Sequence, residues 1–219
     1  MKKLLIASAI AASTVSMAVT AESKFEGFSV ELGGASVDYT SKPKNSRDPA
    51  TPTVLTQFQD VSGRENLVDT GIKYTFKILP KIYLALSYER TLGVAKVGEV
   101  FTDSGASAES GIEIDNLESF IIAPSYAFNE STLASFRVGY IRNDISFKDT
   151  DADRTTNKFD QKGYSLGLGV QHFITDNIYV AGSFDMAFYD EETYTFLNGD
   201  LAEVDTDATK LRLNVGYTF

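Results

Sequence analysis

Three features of this 219-residue sequence predict an all-β fold, a single eight-stranded antiparallel up-and-down β-barrel of the transmembrane kind. Apolar and polar residues alternate with a period of two through eight segments, and no helical period of any length competes with it. The connections between those segments alternate between short and long, as they do in membrane barrels. Beyond residue 21 no stretch is a candidate transmembrane helix. A closed barrel is then the spanning structure that pairs every backbone N–H and C=O within itself.

The first residues stand apart. Met1-Lys2-Lys3 is basic, residues 4–12 are apolar, and small residues lead to Val19-Thr20-Ala21. That three-part layout predicts a secretory signal peptide over 1–21, followed by a barrel domain over 22–219. The apolar run is too short for about 30 Å of hydrocarbon, and Ser13, Thr14 and Ser16 interrupt its end. Loss of Lys2 and Lys3 takes the formal charge from −10 to −12. So acidic a chain is a poor nucleic-acid ligand, because that affinity comes from Lys and Arg on phosphate. There is no cysteine, so an exported protein must draw stability from something other than disulfides.

The strands follow in order. The first, about 25–39, sets Phe28, Val30 and Leu32 against Ser29, Glu31 and Gly33. Residues 67–78 set Val68, Ile72, Tyr74, Phe76 and Ile78 against Asp69, Gly71, Lys73 and Thr75. Residues 82–90 set Ile82, Leu84, Leu86 and Tyr88 against Ala85, Ser87 and Glu89. Phe120, Ile122, Tyr126 and Phe128 share a face of the fourth strand, about 117–128. Phe136, Val138 and Tyr140 mark the fifth, about 133–147. In residues 163–173, Tyr164, Leu166, Leu168 and Val170 oppose Ser165, Gly167, Gly169 and Gln171. In residues 178–189, Ile178, Val180, Phe184, Met186 and Phe188 oppose Ala181, Ser183 and Asp185. The last strand is the clearest, with Leu211, Leu213, Val215, Tyr217 and Phe219 against Lys210, Arg212, Asn214, Gly216 and Thr218. Successive strand side chains point to opposite faces, so each segment has one apolar and one polar or small face. Pro124 cannot donate a ladder bond and predicts a bulge or local break in the fourth strand.

Three connections are short, at Leu79-Pro80-Lys81, at 129–132 and at Thr175-Asp176-Asn177. Four are long, at about 40–64, 98–114, 148–162 and 190–208. Both chain ends are expected on the short-turn, periplasmic side. Size decides which face meets lipid. Eight strands enclose an interior just wide enough for side chains. Gly33, Ser165, Gly167, Gly169, Ser183 and Gly216 fit inside, whereas five bulky residues from each of several strands do not. Phe76, Phe128, Phe136 and Phe219 near the short turns, and Tyr88, Tyr140 and Phe188 nearer the long loops, suit interfacial girdles.

The inward face carries Glu31, Lys73, Glu89, Arg137, Asp185 and Arg212, three negative and three positive, each roughly four to seven residues from the short-turn end of its strand. Buried charges are tolerable when paired, so these six predict a neutral ion-pair network plugging the interior. Separately hydrated charges around a thin water column are the plainer alternative. Acid–base work by Glu31 and Glu89 is disfavoured, because interleaved cations hold both carboxylates ionised. His172, the single histidine, is expected to point outward at the short-turn rim, away from any nucleophile that it would activate. Asp149, Asp151 and Asp153 are spaced like calcium ligands but lack the turn glycine and terminal Glu of an EF-hand. Acidic residues gather again at Asp190, Glu191, Glu192, Asp200, Glu203, Asp205 and Asp207, a rim suited to divalent cations bridging to lipopolysaccharide phosphates. The first loop is basic, with Lys42, Lys44, Arg47 and Arg64, and Pro43, Pro49 and Pro52 keep it irregular. No catalytic residue, cofactor or metal site is predicted.

Ala123-Pro124-Ser125-Tyr126, the alternating run Gly163-Tyr164-Ser165-Leu166-Gly167-Leu168-Gly169-Val170-Gln171, and Val215-Gly216-Tyr217-Thr218-Phe219 resemble the fourth, sixth and last strands of the OmpX/Ail/Lom family of small outer-membrane barrels. General opacity-type and OmpA-type barrels share many of these motifs. The resemblance implies a bacterial outer-membrane location, Phe219 as the signal read by barrel-assembly machinery, and surface adhesion or resistance to host defence, as in some members. The expectation is a non-enzymatic surface protein that stabilises the envelope and contacts lipopolysaccharide, other outer-membrane lipids and surface ligands. A narrow conduit for small or hydrophobic solutes is the second reading, and a lipid-modifying enzyme the third.

Overall fold

The computed structural model describes residues 23–47, 55–56, 61–99, 111–148, 158–195 and 201–219. Eight long strands form the wall: β1 Gly27–Arg47, β2 Val61–Leu79, β3 Ile82–Leu92, β4 Gly111–Ala127, β5 Thr132–Lys148, β6 Lys158–Phe173, β7 Ile178–Tyr189 and β8 Leu201–Thr218. Each pairs antiparallel with its neighbours in sequence, and β8 returns to pair with β1 from Ser29 opposite Thr218 up to Arg47 opposite Leu201. The sheet therefore closes and leaves no free barrel edge. Short strands Leu55–Thr56, Ala95–Glu99 and Glu192–Thr195 add to β1, β4 and β8 at the long-loop end.

The alternation in the sequence sets the faces. Leu213 is 71% exposed and Leu168 65%, while Arg212 between the outward residues of β8 is 4% exposed. Ile72, Leu86, Phe120, Phe136, Phe184 and Val215 join the outward apolar band. Lipid is the solvent that such a surface suits. Aromatic pairs reinforce the band near its ends, including Tyr126 with Phe128 and Tyr164 with Phe188.

The short turns are held by their own side chains. Asn129 Oδ1 accepts from the Ser131 and Thr132 amides at 2.8 Å each, and Thr175 Oγ1 accepts from the Ile178 amide at 3.0 Å. Asn177 Nδ2 donates to the Thr218 carbonyl at 2.8 Å, tying the last short turn to the C-terminal strand. His172 lies on the outer face, and its Nδ1 is 2.9 Å from Thr132 Oγ1.

Two expectations need revision, and a third is met by one of its two alternatives. The long connections are shorter than the alternation suggests, because β1 runs to Arg47 and β2 begins at Val61, inside the segment read as a loop. Pro43 sits opposite Val204 within β1, and the register shifts just beyond it, between Lys44 and Arg47. At Pro124 the expected local break is present, without a bulge: the β4–β5 ladder pauses between Ile122 and Ser125 and resumes in the same register. The bulge lies higher on β4, between Asp115 and Glu118, around Asn116 at φ 51°. Residues 1–22, the Asp149–Asp151–Asp153 segment and Asp200 lie outside the described residues.

Candidate functional site: the filled lumen

The lumen is filled in three layers. At the short-turn end, Phe25 sits edge-on to Tyr83 and Phe173, with ring centroids 5.3 and 5.5 Å away, and Phe173 packs on Tyr179 at 5.1 Å. Ala127 and Leu133 complete this base. Ser23 Oγ reaches the Tyr83 hydroxyl at 3.0 Å, so the segment entering β1 folds under the barrel.

Above the base lie the charges. Lys73 Nζ donates to Glu31 Oε1 at 2.6 Å and to Gln171 Oε1 at 2.8 Å. Arg212 joins Glu31, at 3.2 Å through Nη2, to Glu89 through Nη1. Arg137 bridges Glu89 and Asp185 at 2.8 Å each. All six residues selected from the sequence thus meet in one chain of contacts: Lys73, Glu31, Arg212, Glu89, Arg137, Asp185. Two more belong to it. Asp69 Oδ2 lies 2.8 Å from Arg212 Nε, a charge contact without hydrogen-bond alignment, and Asp69 Oδ1 lies 2.6 Å from Lys210 Nζ. The eight formal charges sum to zero. Uncharged partners take up further donors and acceptors: the Tyr179 hydroxyl donates to Glu31 at 2.8 Å, Thr91 to Asp69 at 2.8 Å and Ser183 to Asp185 at 3.0 Å.

Glycine makes room for this layer at two close approaches. A Cβ on Gly216 would run into the Tyr179 ring, and one on Gly167 into the Asp185 carboxylate. The glycines that mark the inward face of β6 and β8 are thus where large polar groups from neighbouring strands lie against the wall.

The third layer is apolar. Val37 and Tyr39 on β1, Leu117 on β4, Ile141 and Ile145 on β5, Ala187 and Tyr189 on β7 and Ala208 on β8 form a buried cluster above the charges. This revises the expectation of an interior of glycines, hydroxyls and ions alone. The bulge at Asn116 contributes, since it lets Ile114 and Leu117, three apart in sequence, both face inward. Two lumenal cavities lined by described residues measure about 50 Å³ beside Lys73 and Arg137 and about 20 Å³ between Val37 and Lys210. About 10–15 Å³ of such space holds one water, so these are pockets for isolated waters.

The layered lumen is largely filled by side chains. Glu31 and Glu89 are each clamped by two cations, which leaves neither free to act as a proton-shuttling acid. Among the described residues no group of three or more His, Asp or Glu is arranged to hold a metal. At the rim, Lys42 pairs with Asp207 at 3.4 Å and Arg64 with Asp38 at 2.5 Å, so basic residues of the first loop meet acidic ones on β8 and β1.

A model of the outer membrane protein beta-barrel domain matches residues 7–219. The chain belongs to the outer-membrane β-barrel family. This barrel therefore resides in the bacterial outer membrane, and its closed eight-stranded wall is the family architecture. Among solved structures, OprG from Pseudomonas aeruginosa is 14% identical with a TM-score of 0.53, over 90% of this chain and 99% of that one. Ail, the attachment invasion locus protein of Yersinia pestis, in complex with the heparin analogue sucrose octasulfate, is 14% identical with a TM-score of 0.51, over 89% of this chain and 99% of the other. At such identities the likeness is one of fold. No curated protein matches the sequence.

Proposed function

We propose that this outer-membrane barrel is a non-conducting, non-enzymatic surface protein that reinforces the envelope and presents its acidic long-loop end to ligands. The supporting observation is the lumen itself. An aromatic base, a neutral charge network and an apolar septum succeed one another along its axis. Ions crossing it would have to break paired charges and then pass a constriction dominated by apolar side chains, and both steps oppose conduction. The second reading, a narrow conduit, requires those layers to part. In planar lipid bilayers the purified barrel is expected to give no discrete conductance steps. Steady ionic steps would overturn the sealed-lumen reading in favour of the conduit.

A further inference from the structure

The outer wall is not smooth. A groove of about 630 Å³ crosses it from β1 to β5. Two cross-strand rows of outward side chains line it. Leu86, Ile122 and Val138 stand opposite one another on β3, β4 and β5. One step nearer the long loops, Tyr88, Phe120 and Tyr140 stand opposite one another, with the Tyr88 and Phe120 rings 4.9 Å apart. Phe28 opposite Tyr74 forms the β1–β2 end. Lys73 borders the groove but turns its ammonium inward to Glu31, so every outward residue that lines it is aliphatic or aromatic. Two residues nearer the long loops on the same strands, Arg90, Glu118 and Arg142 again stand opposite one another, and the Tyr88 hydroxyl bonds to Glu118. The order along the wall is aliphatic, aromatic, charged. That is the order of chain, interface and headgroup in the leaflet on the long-loop side.

The barrel resides in the outer membrane, so the occupant of this groove is a membrane component. In hydrocarbon the hydrophobic effect does not favour one apolar surface over another, and close packing decides. A flat wall touches an acyl chain along one side. A groove touches its flanks as well and multiplies the dispersion contacts, which a void in the same place would forfeit. The volume falls within the range of about 300–1,000 Å³ typical of ligand clefts. A second copy of the barrel fits less well. A two-fold dimer sets the same patch against itself, so two concavities would face each other and enclose empty space. A flexible linear chain instead follows the groove across the strands.

We infer that this groove seats one acyl chain of an outer-leaflet lipid, with the polar end of that lipid at the level of Arg90, Glu118 and Arg142. The site lies outside the lumen, so it stands whether or not the lumen conducts. Native mass spectrometry of the full barrel released from dimyristoyl phosphatidylcholine nanodiscs tests it. A single retained lipid is expected. Val138→Trp and Ile122→Trp fill the groove with outward apolar bulk, and each should reduce that retention at least tenfold. Leu213→Trp, on β8 across the barrel from β4, should leave it unchanged. If one filling variant does not fold, the other carries the comparison. No retained lipid, retention unchanged in the filling variants, an equal loss in Leu213→Trp, or a dimer in place of the lipid-bound monomer would each overturn the assignment.

Discussion

Arg212 carries its charge into the middle of a membrane-spanning barrel and is 4% exposed there. Such a burial is tolerable because Glu31, Asp69 and Glu89 surround the guanidinium, and removing one member of a buried set leaves its partners uncompensated. Arg137 offers the sharper test, since it alone of the four cations joins Glu89 to Asp185. Arg137→Leu should lower stability by about 3–5 kcal/mol, read as a fall in the urea-unfolding midpoint of the barrel in detergent. An unchanged midpoint would contradict the network. Six members of that network were readable from alternation and distance along the strand. Asp69 and Lys210 lie on the same inward faces but farther from their short turns, and strand tilt in a closed barrel brings them level with the rest. Tyr179 was not readable, because its reach to Glu31 depends on the missing side chain of Gly216 on the adjacent strand.

At the scale of a single strand, β4 departs furthest from a plain period of two. Asn116 takes φ 51° in the bulge, accepts from Arg90 Nη2 at 2.7 Å and donates to Asp144 Oδ2 at 2.7 Å. Asparagine suits a left-handed backbone, and a β-branched residue does not. Asn116→Val should cost about 2 kcal/mol through backbone strain, together with both side-chain bonds. Chemical denaturation of the variant beside Asn116→Gly checks this, with the valine form the less stable of the two; equal stabilities would remove strain from the explanation. The alternation fades from the sequence above residue 117 for the same reason: an extra residue shifts the inward set from odd to even positions. Pro124 is a ladder breaker, yet the wall absorbs it by omitting two β4–β5 pairs without a change of register.

For the molecule as a whole, the balance of bulky and small faces was enough to orient the barrel, because lumen and lipid demand side chains of opposite size. The apolar septum was hidden for a related reason. Val37, Tyr39 and Ile141 lie on faces otherwise polar, and a local pattern cannot tell an apolar layer inside the lumen from an irregularity in the band outside. Only closure of the wall, which sets β1, β4, β5, β7 and β8 around one lumen, brings those residues together. The central claim is that bulky apolar side chains face acyl tails while balanced charges fill the interior. The absence of native cysteine makes a direct test possible. Single cysteines at Leu168, Phe184 and Leu213, each carrying an environment-sensitive fluorophore in reconstituted barrels, should be quenched by brominated lipid and shielded from aqueous iodide. Quenching by iodide with no response to brominated lipid would contradict the orientation on which every layer of the lumen depends.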